Sequence, residues 1–448
     1  MLHLQNPDIV KELLNGNFGI EKESLRIDAT GHLSRRISTL QSPNVTVDFS
    51  SAQTEINTDV HKTLHKALDQ SRECTLQILL EAEEHGEMLW PFSSPCLINP
   101  SISIPMAVEP LVNAKGVEYR KYLSSRYGRK RMTYCGIHYN FSFPASLLEK
   151  EHSYCDNQTL QESSSAFYVQ LAARLMQNGW LLNTLFNASP LADASLTLED
   201  ESHRTIDAGF SSFRNSQLGY WNHFVPLLDY SSIEAYCASI QKLADEGYII
   251  AQRELYIPVR IKSRGEFSLQ QLVEEGVSHI ELRMLDLNPL DPYGLDENDA
   301  EFVHLFIVWC AALEDFDFSE KKQADAICNF KAACSRALGD TMIFTEQGSV
   351  PIKEAAMQIL RSMLAFYRNI SVSAVMQVER QIDKLLTGTL PWQEIVKQSS
   401  NFEDFIDMGL HFAKKNREYI LEQSQVKPQK ARYCSDKKLQ NSADVNGC

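Results

Sequence analysis

Four segments of this chain alternate with a period of two, and that pattern limits the fold more than any other feature. Successive residues of a strand point to opposite faces of its sheet. In Phe18-Gly-Ile-Glu-Lys-Glu-Ser-Leu-Arg-Ile27, Glu21 and Glu23 therefore share one side and Lys22 takes the other. In the segment 136–143, Ile137, Tyr139, Phe141 and Phe143 face one way, while His138, Asn140 and Ser142 face the other. In 254–262, Leu255, Ile257, Val259 and Ile261 oppose Glu254, Tyr256, Arg260 and Lys262, with Pro258 marking an edge or a bulge. In 279–285, His279, Glu281 and Arg283 oppose Ile280, Leu282 and Met284. One polar and one apolar face per strand is the mark of a half-covered antiparallel sheet.

The rest of the chain supports that choice. Helical periodicity predicts helices over 60–85 (apolar stripe Leu64, Leu68, Cys74, Ile78, Leu79), 159–186, 299–315, 353–367, 371–386 and 402–423. They fall between strands or after them without a regular strand–helix repeat. An α+β fold with an antiparallel sheet is therefore expected, not a parallel doubly wound one. No Gly-x-Gly-x-x-Gly or Walker-type loop is present. The apolar run 302–313 is too short to span a membrane and reads as a buried helix.

At 448 residues the chain has room for two or three ordinary domains or one large enzyme domain. No repeat and no Pro- or Ser-rich linker divides it, so residues 1–424 are expected to form one catalytic unit. The polar composition of 425–448 reads as a disordered tail. A net charge of −15 argues against nucleic acid or an anionic membrane as a partner. The run Arg126-Tyr-Gly-Arg-Lys-Arg131 reads equally well as a solvated charge run or a local phosphate site. Ten cysteines are scattered without a C-x-x-C pattern, and Met1-Leu-His-Leu-Gln-Asn-Pro has neither a basic start nor an apolar core. Both point to a reducing cytoplasm with most cysteines as small core residues.

The polar strand faces carry Glu, His, Asn, Tyr and Arg where solvated faces usually carry Thr, Ser and Lys. Glu21 and Glu23 should sit roughly 6–7 Å apart from the strand rise. At an effective dielectric near 20, two carboxylates about 6 Å apart repel by roughly 3 kcal/mol, so a cleft holding them calls for a cation. Asp48 and Glu55 add two carboxylates near a strand end. Magnesium takes hard oxygen ligands, commonly carboxylates, waters and phosphates. Glu21, Glu23, Glu55 and Glu281, with His138 as a nitrogen ligand, offer sites for two or three such ions. Arg283, two residues from Glu281 on the same face, is placed to bind a phosphate oxygen. Taken singly, the Glu-Lys-Glu triplet is more often a solvated strand, and His138 more often a structural histidine.

Taken together, the segments Gly19-Ile-Glu-Lys-Glu-Ser-Leu-Arg26, Asp48-Phe49 with Glu55, Gly136-Ile-His-Tyr-Asn-Phe-Ser142, Glu254-Leu-Tyr-Ile-Pro-Val-Arg260 and Ile280-Glu-Leu-Arg-Met-Leu-Asp-Leu-Asn-Pro289 resemble the bacterial glutamate–cysteine ligase family. Phe186-Asn-Ala-Ser-Pro190 and Arg214-Asn-Ser-Gln-Leu-Gly-Tyr220 fit it too, and the matches run in the family's order from about residue 18 to 290. The resemblance implies a curved antiparallel sheet forming a funnel, with helices packed outside, as in the catalytic domain of glutamine synthetase. It implies ATP- and Mg²⁺-dependent joining of the glutamate γ-carboxylate to the cysteine amine through γ-glutamyl phosphate, the first step of glutathione synthesis. By the same resemblance, Glu21, Glu23, Glu55, His138 and Glu281 match metal positions and Asp48 an acidic position beside them. Arg283 matches a phosphate-contacting arginine, which with Glu281 makes the catalytic pair. Phe49, Tyr119, Tyr220 and Tyr256 match aromatic positions around cysteine, and Arg214 a substrate-binding arginine. Met132 stands where the family pattern carries a glutamine, and Ser51 where an acidic residue is common. No fused ATP-grasp domain is expected from residues 1–448.

Two other activities fit the same residues. One is a ligase of this family using a different amine, which Met132 leaves open. The other is a metal-dependent phosphohydrolase, since acids with an arginine also serve phosphate-ester cleavage. No convincing Ser-His or Cys-His arrangement is present, and Cys135 reads as buried packing.

Overall fold

The alternating segments find one another in a single sheet. The computed structural model describes residues 2–98, 103–197, 204–265, 268–314, 317–346 and 348–424. The expected tail over 425–448 lies outside the described residues. The strands are β1 (Asn17–Ile27), β2 (Val45–Val47), β3 (Gln53–Asn57), β4 (Met88–Leu89), β5 (Ile137–Ser142), β6 (Ala192–Asp193), β7 (Thr205–Ile206), β8 (Val259–Lys262), β9 (His279–Leu285), β10 (Met342–Thr345) and β11 (Gly348–Pro351). Seven of them form the main sheet, in the order β2-β3-β1-β5-β9-β8, with β4 on the far end of β1. Its pairings are antiparallel throughout. The strands β6 with β7 and β10 with β11 make two separate ribbons. The fold is α+β as expected, and the sheet is open, with β2 and β8 at its edges.

Register decides which residues meet. Across β1 and β3, Glu23 lies opposite Glu55. Across β1 and β5, Glu21 lies opposite His138. Glu281 of β9 is flanked by Asn140 of β5 and Arg260 of β8. Between β5 and β9 the register shifts, so Arg283 and Met284 both oppose His138. Such a bulge re-aims a side chain, and here it brings Arg283 beside the histidine.

The other face is apolar and buried. Phe18, Ile20, Ile137, Tyr139, Phe141, Val259, Ile261, Ile280 and Leu282 are each at most 3% exposed. Helices Leu160–Asn178 and Glu297–Ala312 belong to the same core. Lys22 of β1 is a buried cation on this face. Its Nζ donates to Thr75 Oγ1 at 2.8 Å and to the Tyr293 carbonyl at 2.8 Å. Burial lowers its pKa to about 8, with Asp291 opposing.

The helical expectations hold with shifted ends. The first becomes Leu64–Glu83, capped by Thr63 Oγ1 accepting from the Lys66 amide. The block expected over 159–186 divides at Gly179 into Leu160–Asn178 and Trp180–Phe186, the former opened by a capping box between Thr159 and Glu162. The apolar run is the helix Glu297–Ala312, with Asp296 at its N-cap. The remaining three are Ile352–Tyr367, Val372–Thr387 and Phe405–Gln423.

One strand is shorter than its alternation suggests. Strand pairing over 254–262 begins only at Val259, and Gln252–Glu254 form a single 3₁₀ turn. Pro258 has no amide to contribute to a ladder. Glu254 turns inward instead of joining the polar face. It is fully buried and accepts from Tyr127 Oη at 2.8 Å, Tyr122 Oη at 3.1 Å and the Ile250 amide at 2.8 Å. The basic run nearby is structural as well: Arg126 donates to the Tyr248 carbonyl and Arg129 to the Ile104 carbonyl.

Among the described residues eight cysteines are free, and Cys135 is fully buried as expected. No helix among them is long and apolar enough to cross a membrane.

Candidate active site

The polar face of the sheet floors a cavity of about 350 Å³. Glu21, Glu23, Asp48, Glu55, His138, Glu281 and Arg283 all line it, as do Tyr119, Arg214, Tyr220 and Tyr256. Residues from β1, β3, β5 and β9, far apart in the chain, are thus brought together by register alone. Of the residues singled out in the sequence, Phe49 does not reach the cavity. It is buried in the cluster behind it, with Met132, Tyr127 and Tyr256.

The acids fall into two groups with different charge balance. In the first, His138 Nδ1 lies 2.9 Å from Glu21 Oε2 and 3.7 Å from Glu281 Oε1. Asn140 Nδ2 donates to Glu21 Oε1 at 3.0 Å. Glu281 is ringed by cations: Arg283 Nη1 at 3.0 Å, Lys262 Nζ at 3.5 Å and Arg260 Nη1 at 3.9 Å. Burial opposes ionisation of Glu281, but Arg283, Lys262 and His138 outweigh it and hold its pKa well below the usual range. Burial, then Arg283, lowers His138 to about 4, leaving a neutral imidazole near neutral pH.

In the second group the acids lack that compensation. Burial, with Asp48 and Glu55 alongside, pushes Glu23 well above its ordinary pKa despite Arg214 and Arg283. Burial also raises Asp48, against Arg120 and Arg283. Burial, Asp48 and Glu21 together bring Glu55 to about 7. Their local bonds are few: the Gly136 amide donates to Glu23 Oε2 at 2.9 Å and Asn57 Nδ2 to Glu55 Oε1 at 3.2 Å.

This donor set suits a hard divalent cation. Glu21, His138 and Glu281 each offer a ligand atom, and these atoms lie within 4.8 Å of one another. Glu281 Oε2 is buried without a hydrogen-bond partner. Metal ligands must be deprotonated, so binding releases protons wherever a ligand is still protonated. With its pKa raised to about 7, Glu55 is substantially protonated at pH 6.5. Adding Mg²⁺ at pH 6.5 should therefore release protons, and the share from Glu55 should be far smaller at pH 8.5. Calorimetric titration in buffers of differing ionisation enthalpy reads this directly. Proton uptake, or no difference between the two pH values, would contradict the assignment.

Opposite the acids the cavity is aromatic and cationic. The Tyr220 and Tyr256 rings lie 4.2 Å apart between centroids. The Arg253 guanidinium sits 3.9 Å over the Tyr119 ring. Arg120 donates to the Asp48 carbonyl at 2.8 Å, which fixes the turn carrying that acid. Arg120, Arg253, Arg260 and Lys262 line the cavity and had no assigned role in the sequence. For Arg260 and Lys262 the period-two face already contained the signal. Arg120, in the helix Ala114–Tyr127, and Arg253, in the turn Gln252–Glu254, have no strand pattern to mark them.

A sheet face that gathers carboxylates, a neutral histidine and fixed cations in one cavity has the chemistry to hold a metal-bound phosphate. Residues 1–249 and 245–333 match the glutamate–cysteine ligase family, and the chain belongs to that family. It is 30% identical over 430 residues to the glutathione biosynthesis bifunctional protein of Listeria monocytogenes, covering 92% of this chain and 55% of that protein. It is 32% identical over 356 residues to the bifunctional protein of Desulfotalea psychrophila, covering 76% of this chain and 44% of the other. The chain thus spans about half the length of these curated relatives. Its fold is similar to that of a glutamate–cysteine ligase from Francisella tularensis solved with AMP, at a TM-score of 0.81 and 22% identity, covering 91% and 89% of the two chains. It is also similar to a bifunctional glutathione synthetase from Pasteurella multocida, at a TM-score of 0.80 and 22% identity, covering 94% of this chain and 55% of that one.

Proposed function

We propose that residues 1–424 form a catalytic unit that joins the γ-carboxylate of glutamate to the amine of cysteine at the expense of ATP, giving γ-glutamylcysteine. The observation carrying this reading is the meeting of Glu21, Glu23, Glu55, His138 and Glu281 with Arg283 in one cavity. A free carboxylate is a poor electrophile, because its leaving group would be oxide. Phosphorylation of the γ-carboxylate gives γ-glutamyl phosphate, from which the amine displaces phosphate. Arg283, held by Glu281 at 3.0 Å, supplies fixed positive charge to the transferring phosphoryl group. Lys262 and Arg260 extend that charge along the floor. Glu21, Glu23, Glu55, His138 and Glu281 would hold two or three Mg²⁺ ions, with Asp48 beside them. Bound Mg²⁺ supplies charge neutralisation at the phosphate oxygens. The walls made by Tyr119, Tyr220, Tyr256 and Arg214 would receive the amino-acid substrates, with Phe49 packed behind them. A funnel-like, glutamine-synthetase-like curvature would gather these substrates at the sheet floor. Eight free cysteines among the described residues are in keeping with a reducing cytoplasm.

A coupled ADP-release assay tests this reading, with glutamate, cysteine and Mg²⁺ omitted one at a time. Each omission should stop turnover. ADP formation that ignores glutamate and the amine would replace the ligase by a phosphohydrolase. A second amine is favoured by one observation: Met132, 3% exposed, lines the cavity where the family pattern carries glutamine. Phosphate release with 2-aminobutyrate, polyamines and other amino acids compared with cysteine decides between them.

Tyr220→Ala should raise KM for cysteine by about tenfold, the loss of roughly one aromatic contact, and leave KM for ATP nearly unchanged. Steady-state kinetics in each substrate separate these effects. Equal losses for both substrates would make Tyr220 a structural residue.

A further inference from the structure

Gly136 immediately precedes β5 and lies two residues before His138, so a side chain there would point onto the same polar face. That space is already taken. A Cβ at Gly136 would lie 2.1 Å from Arg214 Nη2, 2.3 Å from Cζ and 2.7 Å from Nε. The guanidinium therefore lies against the bare Cα of Gly136. Gly136 is not among the glycines with positive φ, so the backbone itself would accept alanine. Glycine is required here for space and not for conformation.

The guanidinium in that slot is tied on its other edges. Nη2 donates to the Arg283 carbonyl at 2.8 Å. Nη1 lies 3.3 Å from Asn215 Oδ1 and 3.9 Å from Asp286 Oδ1. Asp286 is buried, and its Oδ2 accepts from the Ala188 amide at 3.0 Å. The backbone of Gly136 also reaches the acids: its amide donates to Glu23 Oε2 at 2.9 Å, and its carbonyl accepts from the Glu23 amide at 3.0 Å. One residue without a side chain thus touches an arginine through its empty space and a carboxylate through its amide.

We propose that Gly136 is a positioning residue of the active site, whose missing side chain seats the Arg214 guanidinium beside Glu23. This rests on the reading of Arg214 as a substrate-binding arginine. Alanine at 136 would meet the far end of a flexible side chain, so the arginine yields and the sheet does not. The displaced guanidinium swings into the cavity and leaves the Arg283 carbonyl.

A double-mutant cycle on the full chain tests the proposal: wild type, Gly136→Ala, Arg214→Ala and the pair. Two readouts are taken on each protein, the KM values for glutamate, cysteine and ATP, and the melting temperature without substrates. Gly136→Ala alone should raise KM for an amino-acid substrate by about tenfold, change KM for ATP by less than about twofold, and lower the melting temperature. In the Arg214→Ala background the same substitution should add less than about twofold to any KM and leave the melting temperature unchanged or raised. Wild-type behaviour of Gly136→Ala, or effects that multiply independently across the cycle, would overturn the proposal. If wild type makes no γ-glutamyl product, the proposed reaction fails by itself. The melting cycle still decides whether Arg214 occupies the space over Gly136.

Discussion

Glu281→Gln should lower kcat by about 10²–10³-fold, the scale on which single preorganised charges matter in transition states. Glutamine keeps the shape but not the charge. Arg283, Lys262 and Arg260 all lie within 3.9 Å of this one carboxylate. Removing its charge leaves three cations facing one another and takes a ligand from the triad with Glu21 and His138. Breaking a buried pair by losing one partner typically costs about 3–5 kcal/mol, so the variant should also melt lower. Single-turnover kinetics at saturating ATP and Mg²⁺ separate the chemical step from binding. A variant that turns over at the wild-type rate would remove Glu281 from the site.

The second large effect is one of stability. Arg26→Ala should destabilise the protein by about 3–5 kcal/mol, because it strands a buried acid. Arg26 is fully buried at the far end of β1, with Nη1 2.8 Å from Glu87. Its Nη2 donates to the Arg36 carbonyl at 2.6 Å and to the Ser51 carbonyl at 2.9 Å. It therefore fastens the turn between β2 and β3 to the strand carrying Glu21 and Glu23. Replacing both Arg26 and Glu87 by methionine should recover much of the loss, since paired apolar substitution of a buried ion pair is often neutral. Urea unfolding measures both variants. A single substitution costing less than about 1 kcal/mol would mean that Arg36, 3.4 Å from Glu87, already compensates the acid.

What the sequence disclosed follows from what local geometry can encode. Period-two alternation placed Glu21 with Glu23, His138 with Asn140, and Glu281 with Arg283 on common faces, and the sheet keeps these pairs together. Alternation says nothing of which strands are neighbours. The pairing of Glu23 with Glu55 and of Glu281 with Arg260 rests on register between distant segments. The same limit explains Glu254. Its place in an alternating run suggested the polar face, but Pro258 ends the pairing and the tyrosines of the helix Ala114–Tyr127 draw the carboxylate inward. Arg120 and Arg253 come from a helix and a turn, where no short repeat marks a residue for the cavity. Phe49 matches a substrate-wall position by resemblance and sits one layer behind that wall.

Lys22 separates the two acids of β1 and is anchored on the opposite side to Thr75 and Tyr293. A slip of one position would invert the strand, setting an ammonium among the carboxylates and sinking two carboxylates into hydrocarbon. The strand therefore carries its own lock against misalignment while the sheet assembles. Inserting or deleting a single residue between Phe18 and Glu23 would set the two ends of the strand out of phase unless a bulge absorbs the change.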